Sequence, residues 1–206
     1  MSQFLRCILC AAAALFVQTA TAESAAPDTL VRSVTEEVVG VIKQNKAIQA
    51  GNRQKTIALV EQKVLPHFDF VRMTALAMGV NWRKATAEQQ SALIEQFRTL
   101  LVRTYSTALS AYRDQVIDVK PLRAQPNDTE VVVRSEVKQS GPETVTIDYS
   151  MAKTPAGWKV YDVAVGGVSL VTNYRETFAA EVRTGGIDGL IRSISAKNQE
   201  LAAKGG

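Results

Sequence analysis

The run Trp158-Lys-Val-Tyr-Asp-Val-Ala-Val-Gly-Gly-Val-Ser-Leu-Val-Thr-Asn-Tyr-Arg-Glu-Thr-Phe178 constrains the fold of this chain more than any other stretch. Between Trp158 and Val165, β-branched and aromatic residues dominate and Lys159 and Asp162 are the only charges, the composition of a strand largely covered by protein. Gly166 and Gly167 end it. Lacking a Cβ, they let the backbone take positive φ and turn the next element back at close range. Ser169 can cap a helix whose apolar face, Leu170, Val171, Tyr174 and Phe178, recurs at helical spacing. Strand, glycine hinge and returning helix form a unit that must close over something, and the rest of the chain supplies it.

Ahead of that unit the pattern has a period of two. Val131, Val133 and Val137 alternate with Arg134, Glu136 and Lys138, and Val145, Ile147, Tyr149 and Met151 alternate with Thr146, Asp148 and Ser150. Val116–Leu122 reads as a fourth strand, placed at an edge by Pro121. The turns at Gln125–Asp128, Ser140–Pro142 and Thr154–Gly157 are short enough for an antiparallel meander.

The first half is helical. Leu30, Val34, Val38, Val41, Ile42 and Ile48 predict a helix from Asp28, as N-cap, to about Ala50, stopped by Gly51. A second runs from about Arg53 to Leu65, with Ile57, Val60 and Val64 on one face and Pro66 at its end. Between Asp69, a natural N-cap, and Gly79, a natural stop, only Arg72 and Thr74 are polar, so this helix is apolar nearly all round. Its density of Phe70, Met73, Leu76 and Met78 points to a ligand-lining role beside ordinary core packing, since methionine adapts to an irregular partner. Thr86 and Gln89 form a capping box for the longest helix, which runs to about Arg113 and keeps Leu93, Phe97, Leu100, Leu101, Tyr105, Leu109 and Tyr112 on one face. Two helices close the chain, Ser169–Arg183 and Ile187–Lys204, separated by Gly185-Gly186.

Residues 1–22 read as a secretory signal peptide: Arg6, an apolar segment from Cys7 to Val17, and a small-residue cleavage site at Ala20-Thr-Ala22 before Glu23. Residues 23–206 then form one domain. Both cysteines, Cys7 and Cys10, fall in the segment to be removed, so the mature chain has no disulfide, thiol nucleophile or cysteine metal site, and its stability rests on its apolar core. With 23 basic against 20 acidic residues the mature charge is near +3, and its cations are scattered, which argues against nucleic acid as a partner.

Catalytic residue types are sparse. His67, the only histidine, follows Pro66 at a helix boundary and reads as a capping or surface residue. No acidic cluster has metal-ligand spacing, so no metal and no catalytic residue is assigned. Asp162 is the carboxylate that interrupts an apolar strand. A half-open cone of sheet and helix, NTF2-like in the manner of ketosteroid isomerase, could use it as a general base with Tyr149 or Tyr161 as hydrogen-bond donor, and a small-ligand enzyme of that kind is the alternative reading. What dominates is apolar surface beyond what the polar chemistry explains, which in an extracytoplasmic protein fits a carrier with an apolar cavity.

Four segments carry a resemblance: His67-Phe-Asp-Phe-x-x-Met73, Gly79-x-x-Trp82-Arg83-x-Ala85, Phe97-x-x-Leu100-Leu101-x-x-Thr104-Tyr105, and Trp158-x-Val160-Tyr161-Asp162-Val163 through Gly167-Val168-Ser169-Leu170-Val171-x-Asn173-Tyr174-Arg175-x-x-Phe178. In this order, over nearly the whole mature chain, they resemble the MlaC family of periplasmic phospholipid-binding proteins, also called toluene-tolerance auxiliary proteins. Gly166 stands where the family pattern carries an acidic residue, which makes the hinge looser. The resemblance implies an α+β fold, here expected as an antiparallel four-stranded sheet packed against a helical layer, an NTF2-like cone enclosing an apolar cavity. It also implies phospholipid as cargo with its head group outside, and shuttling between an outer-membrane lipoprotein–porin complex and an inner-membrane ABC-type transporter complex; the chain is expected to act as a monomer with no other cofactor.

The expected lipid-binding positions are Phe70, Met73, Leu76 and Met78 on the apolar helix, and Phe97, Leu101 and Tyr105 on the long one. Val133, Ile147, Tyr149, Tyr161 and Val163 join them from the strands, and Leu170 and Tyr174 from the closing helix.

Overall fold

A computed structural model describes residues 25–204 apart from 124, 126 and 139–143, together with the backbone but not the side chains of 107 and 110. The expected signal peptide and the Ser140–Pro142 turn lie outside the described residues. Helices α1 (Pro27–Gln44), α2 (Lys46–Gln49), α3 (Arg53–Lys63), α4 (Phe70–Met78) and α5 (Ala87–Ser110) precede strands β1 (Val116–Val119), β2 (Glu130–Lys138), β3 (Thr144–Thr154), β4 (Gly157–Val165) and β5 (Val168–Ser169), and α6 (Leu170–Ala203) closes the chain. The fold is α+β.

The sheet is a meander in which each strand pairs antiparallel with the next, in the order β1-β2-β3-β4-β5. Among the described residues it has five strands rather than the expected four. Gly166 and Gly167, at φ 58° and 83°, form a two-residue turn that sends Val168 back beside Val165 before α6 begins. Both residues need the left-handed region, as a tight hairpin turn requires and as glycine alone adopts without strain. The hinge is therefore a hairpin.

Local signals set most helix ends. The Asp69 carboxylate accepts from Arg72 N at 2.9 Å, Thr86 and Gln89 cap each other reciprocally, and Ser169 Oγ accepts from Thr172 N at 3.0 Å. The start of α1 differs from expectation. Pro27 occupies its first turn, Ala26 supplies no side-chain cap, and the Asp28 carboxylate instead accepts from Leu122 N at 3.2 Å, tying the helix to the chain beyond β1. The single helix expected to Ala50 is broken at Asn45, whose Oδ1 accepts from Ala47 N and Ile48 N and starts α2. In α6, Gly186 at φ 66° interrupts the helical path where the glycine pair predicts a break, which leaves the 24-residue α5 as the longest unbroken helix.

Among the described residues the buried apolar side chains gather in three clusters, two of them joined through Phe68. One joins α4, α5 and α6 around Phe97, Met73, Phe178 and Leu190. A second lies on the inner face of the sheet, with Val119, Val133, Met151, Trp158 and Val160 against Val31 of α1. The third packs α1, α2 and α3 through Val38, Ile42, Ile48 and Leu59. Helices and sheet are stitched together at one end, where Phe68 bridges to Val160, Asp69 N donates to Val160 O at 2.8 Å, and Lys159 Nζ donates to Pro66 O.

Candidate functional site

The three cores leave a cavity of about 380 Å³ between them. Its walls are one stripe of α1 (Leu30, Val31, Val34, Val38 and Ile42), the end of α3 with the following turn, Phe70 and Met73 of α4, the second half of α5, and the inner face of β1, β3 and β4. Nearly all of this lining is apolar; Thr35, Ser106, His67 and three tyrosine side chains are the polar exceptions. Tyr105 and Val165, both well exposed at 38% and 40%, lie at one end of the lining, and Val160, Met73 and Met151, all buried, lie towards the other. The cavity therefore opens between α5 and the β4–β5 hairpin and is closed at the stitched end.

Eight of the expected positions, Phe70, Met73, Leu101, Tyr105, Ile147, Tyr149, Val163 and Leu170, meet on this surface. Tyr149 is only half-buried by area, yet burial pushes its phenol up, opposed in part by a hydrogen bond with Ser135; its open area faces the enclosed cavity rather than bulk water.

Six are placed elsewhere. Phe97 is fully buried, its ring edge-on to Tyr174 at 5.0 Å and to Phe178 at 5.1 Å, and Leu76 and Met78 share that helical core. Burial, with Tyr105 beside it, pushes the Tyr174 phenol up to about 12. Tyr161 is the extra residue of a β-bulge opposite Met151 and is drawn to the protein surface. There the Arg72 guanidinium lies 3.6 Å from its ring centroid and its hydroxyl donates to Glu130 at 3.1 Å. Val133 shares a rung with Tyr149 and Val163 but is fully buried among its sheet neighbours.

His67 is not a surface cap. It sits half-buried in the cavity wall, where burial and the nearby Lys159 ammonium lower its pKa against the opposing pull of Glu37. Asp162 is likewise occupied differently from a general base. Its Oδ1 accepts from Val163 N at 2.8 Å and Val171 N at 3.2 Å, and its Oδ2 accepts from Ser169 Oγ at 2.5 Å. The carboxylate thus clamps the hairpin to the start of α6 and lies outside the cavity lining. Among the described residues no three His, Cys, Asp or Glu side chains gather where they could hold a metal ion. The α1 stripe, with Phe68 and Tyr112, was visible in the sequence as an amphipathic pattern but not as cavity wall.

An α+β shell with an apolar interior open at one end defines a protein that encloses a hydrophobic ligand. The family described as MlaC protein matches residues 32–196, and the chain belongs to it. The toluene tolerance protein ttg2D of Pseudomonas putida is 28% identical over 183 residues, covering 88% of this chain and 84% of that protein. The intermembrane phospholipid transport system binding protein MlaC of Haemophilus influenzae is 25% identical over 185 residues, covering 87% and 85%. A phospholipid-binding protein from Ralstonia solanacearum, solved in complex with a phospholipid, superposes with a TM-score of 0.81 at 41% identity, over 86% of this chain and 99% of that one.

Proposed function

We propose that this protein is a periplasmic phospholipid carrier, exported by cleavage after Ala22, whose domain of residues 23–206 moves lipid between the outer and inner membranes and so maintains outer-membrane lipid asymmetry. The observation that carries the reading is the apolar cavity, open at one end, in a chain whose solved relative holds a phospholipid. Two acyl chains of about thirty methylenes together cost on the order of 20 kcal/mol to expose to water, at about 0.8 kcal/mol each. Unassisted passage through an aqueous compartment is then negligible, and the protein's task is to shield the tails and give them up only against a partner. An inner-membrane ABC-type transporter complex and an outer-membrane lipoprotein–porin complex are the partners that fit this role.

Mass spectrometry of the protein purified from the periplasm tests both parts. The expected result is a polypeptide beginning at Glu23 with a co-purifying diacyl phospholipid. A retained N-terminus overturns the export assignment, and a protein that neither carries phospholipid nor takes it up from vesicles overturns the carrier.

A further inference from the structure

The cavity has a definite depth, and two independent rails measure it. Along β4, lining residues run from exposed Val165 at the mouth to buried Val160 at the closed end; the Tyr161 bulge shortens this path to the four paired steps from Ile147 to Met151 on β3, roughly 13 Å at about 3.3 Å each. Along α1 they run from Leu30 to Ile42, twelve residues that span about 18 Å at 1.5 Å each. A bilayer's hydrocarbon core is about 30 Å thick, so one leaflet's tails occupy about 15 Å. The two spans bracket that depth, so a leaflet tail fills the cavity from end to end.

The closed end is also built to stay closed. Phe68 and Phe70 stack with centroids 5.9 Å apart, and Met73 and Leu30 complete the surface. Behind them the backbone is fixed by the Phe68–Val160 bridge and the bond from Asp69 N to Val160 O. A floor made of loose side chains alone would yield to a longer tail, whereas this one is anchored by main-chain hydrogen bonds to a strand.

We infer that the floor formed by Phe68, Phe70, Met73 and Leu30 is an acyl-chain ruler, which admits tails up to the length normal in a membrane leaflet and rejects longer ones. The inference rests on the carrier reading and adds a specificity to it. Tails shorter than the cavity exchange one apolar setting for another and are not discriminated. Each methylene beyond the floor must stay at the mouth, in water, and lowers occupancy by up to about fourfold.

Delipidated protein incubated with vesicles containing equal amounts of phosphatidylethanolamines whose matched saturated tails span roughly 12 to 20 carbons, bracketing a leaflet's depth, tests the ruler by native mass spectrometry of the bound lipid. The expected profile is level and then falls. Phe70 is half-buried, so Phe70→Ala lowers the floor without emptying a fully buried site, and should raise occupancy by the first excluded length at least about fourfold. Leu30→Trp, also at a half-buried position, should move the fall to shorter tails. A profile level over all lengths overturns the ruler, as does a fall that stays in place in both folded variants. Failure of the unmutated protein to take up any of these lipids overturns the carrier reading instead.

Discussion

Val133, Tyr149 and Val163 form one rung of the sheet, facing inward side by side, yet Val133 is sealed among side chains and Val163 faces the cavity. Placing tryptophan at each separates packed core from cavity wall. At Val133, fully buried and outside the cavity lining, the indole must push aside the cluster it belongs to, Val31, Met151, Trp158 and Val160. Overpacking of this kind costs about 1–3 kcal/mol, and for a domain of this size each kcal/mol lowers Tm by about 2–4 °C. At Val163 the indole projects into space that a tail would fill. Displacing about five methylenes, at about 0.8 kcal/mol each, removes about 4 kcal/mol of retention, close to a thousandfold. Val163→Trp should therefore purify folded and depleted of phospholipid, with Tm close to that of the delipidated parent, while Val133→Trp should melt lower whether or not lipid is bound. Thermal melts beside native mass spectrometry decide the matter. Full lipid occupancy in Val163→Trp, or an unshifted melt in Val133→Trp, would refute the division.

Asp162→Ala removes three hydrogen bonds to a half-buried carboxylate and should cost about 2–4 kcal/mol in denaturant unfolding, with Asp162→Asn recovering part of the loss; a variant as stable as its parent would show that the clamp holds nothing. His67 has a folded pKa below its ordinary 6.5, so below about pH 6.5 the unfolded chain binds more protons and stability falls as pH drops towards the folded value. His67→Phe should flatten that part of the Tm–pH curve, and an unchanged slope would place the acid sensitivity elsewhere.

Much of this architecture was legible because the signals are local. Asp69, Thr86 and Ser169 cap as short-range chemistry dictates, and the alternation in β2 and β3 is written residue by residue. The fifth strand was hidden because two residues, Val168 and Ser169, carry no periodicity, and the start of α1 because a distant amide, Leu122 N, captured the carboxylate of Asp28. The site was harder to read for a different reason. Phe97 and Leu101 stand one turn apart on the same face of α5, and periodicity says only that the face is covered. Whether protein or empty space covers it depends on α6, whose Tyr174 and Phe178 reach Phe97 and leave Leu101 to the cavity. Val133 and Val163 differ in the same way.

Helix α1 gives the bound lipid a thermodynamic role in the protein that carries it. Its apolar stripe faces the cavity, and its first two turns are fastened by Arg32 Nη2 donating to Val119 O at 2.6 Å and by Asp28 accepting from Leu122 N. Filled, the stripe is one side of a continuous apolar interior; empty, it borders a void whose lining has lost its contacts. Whatever binds the folded chain and not the unfolded one adds its binding energy to the fold, so cargo and stability are linked quantities. Each release of lipid then leaves behind a less stable molecule, for which reloading restores the missing part of its own core.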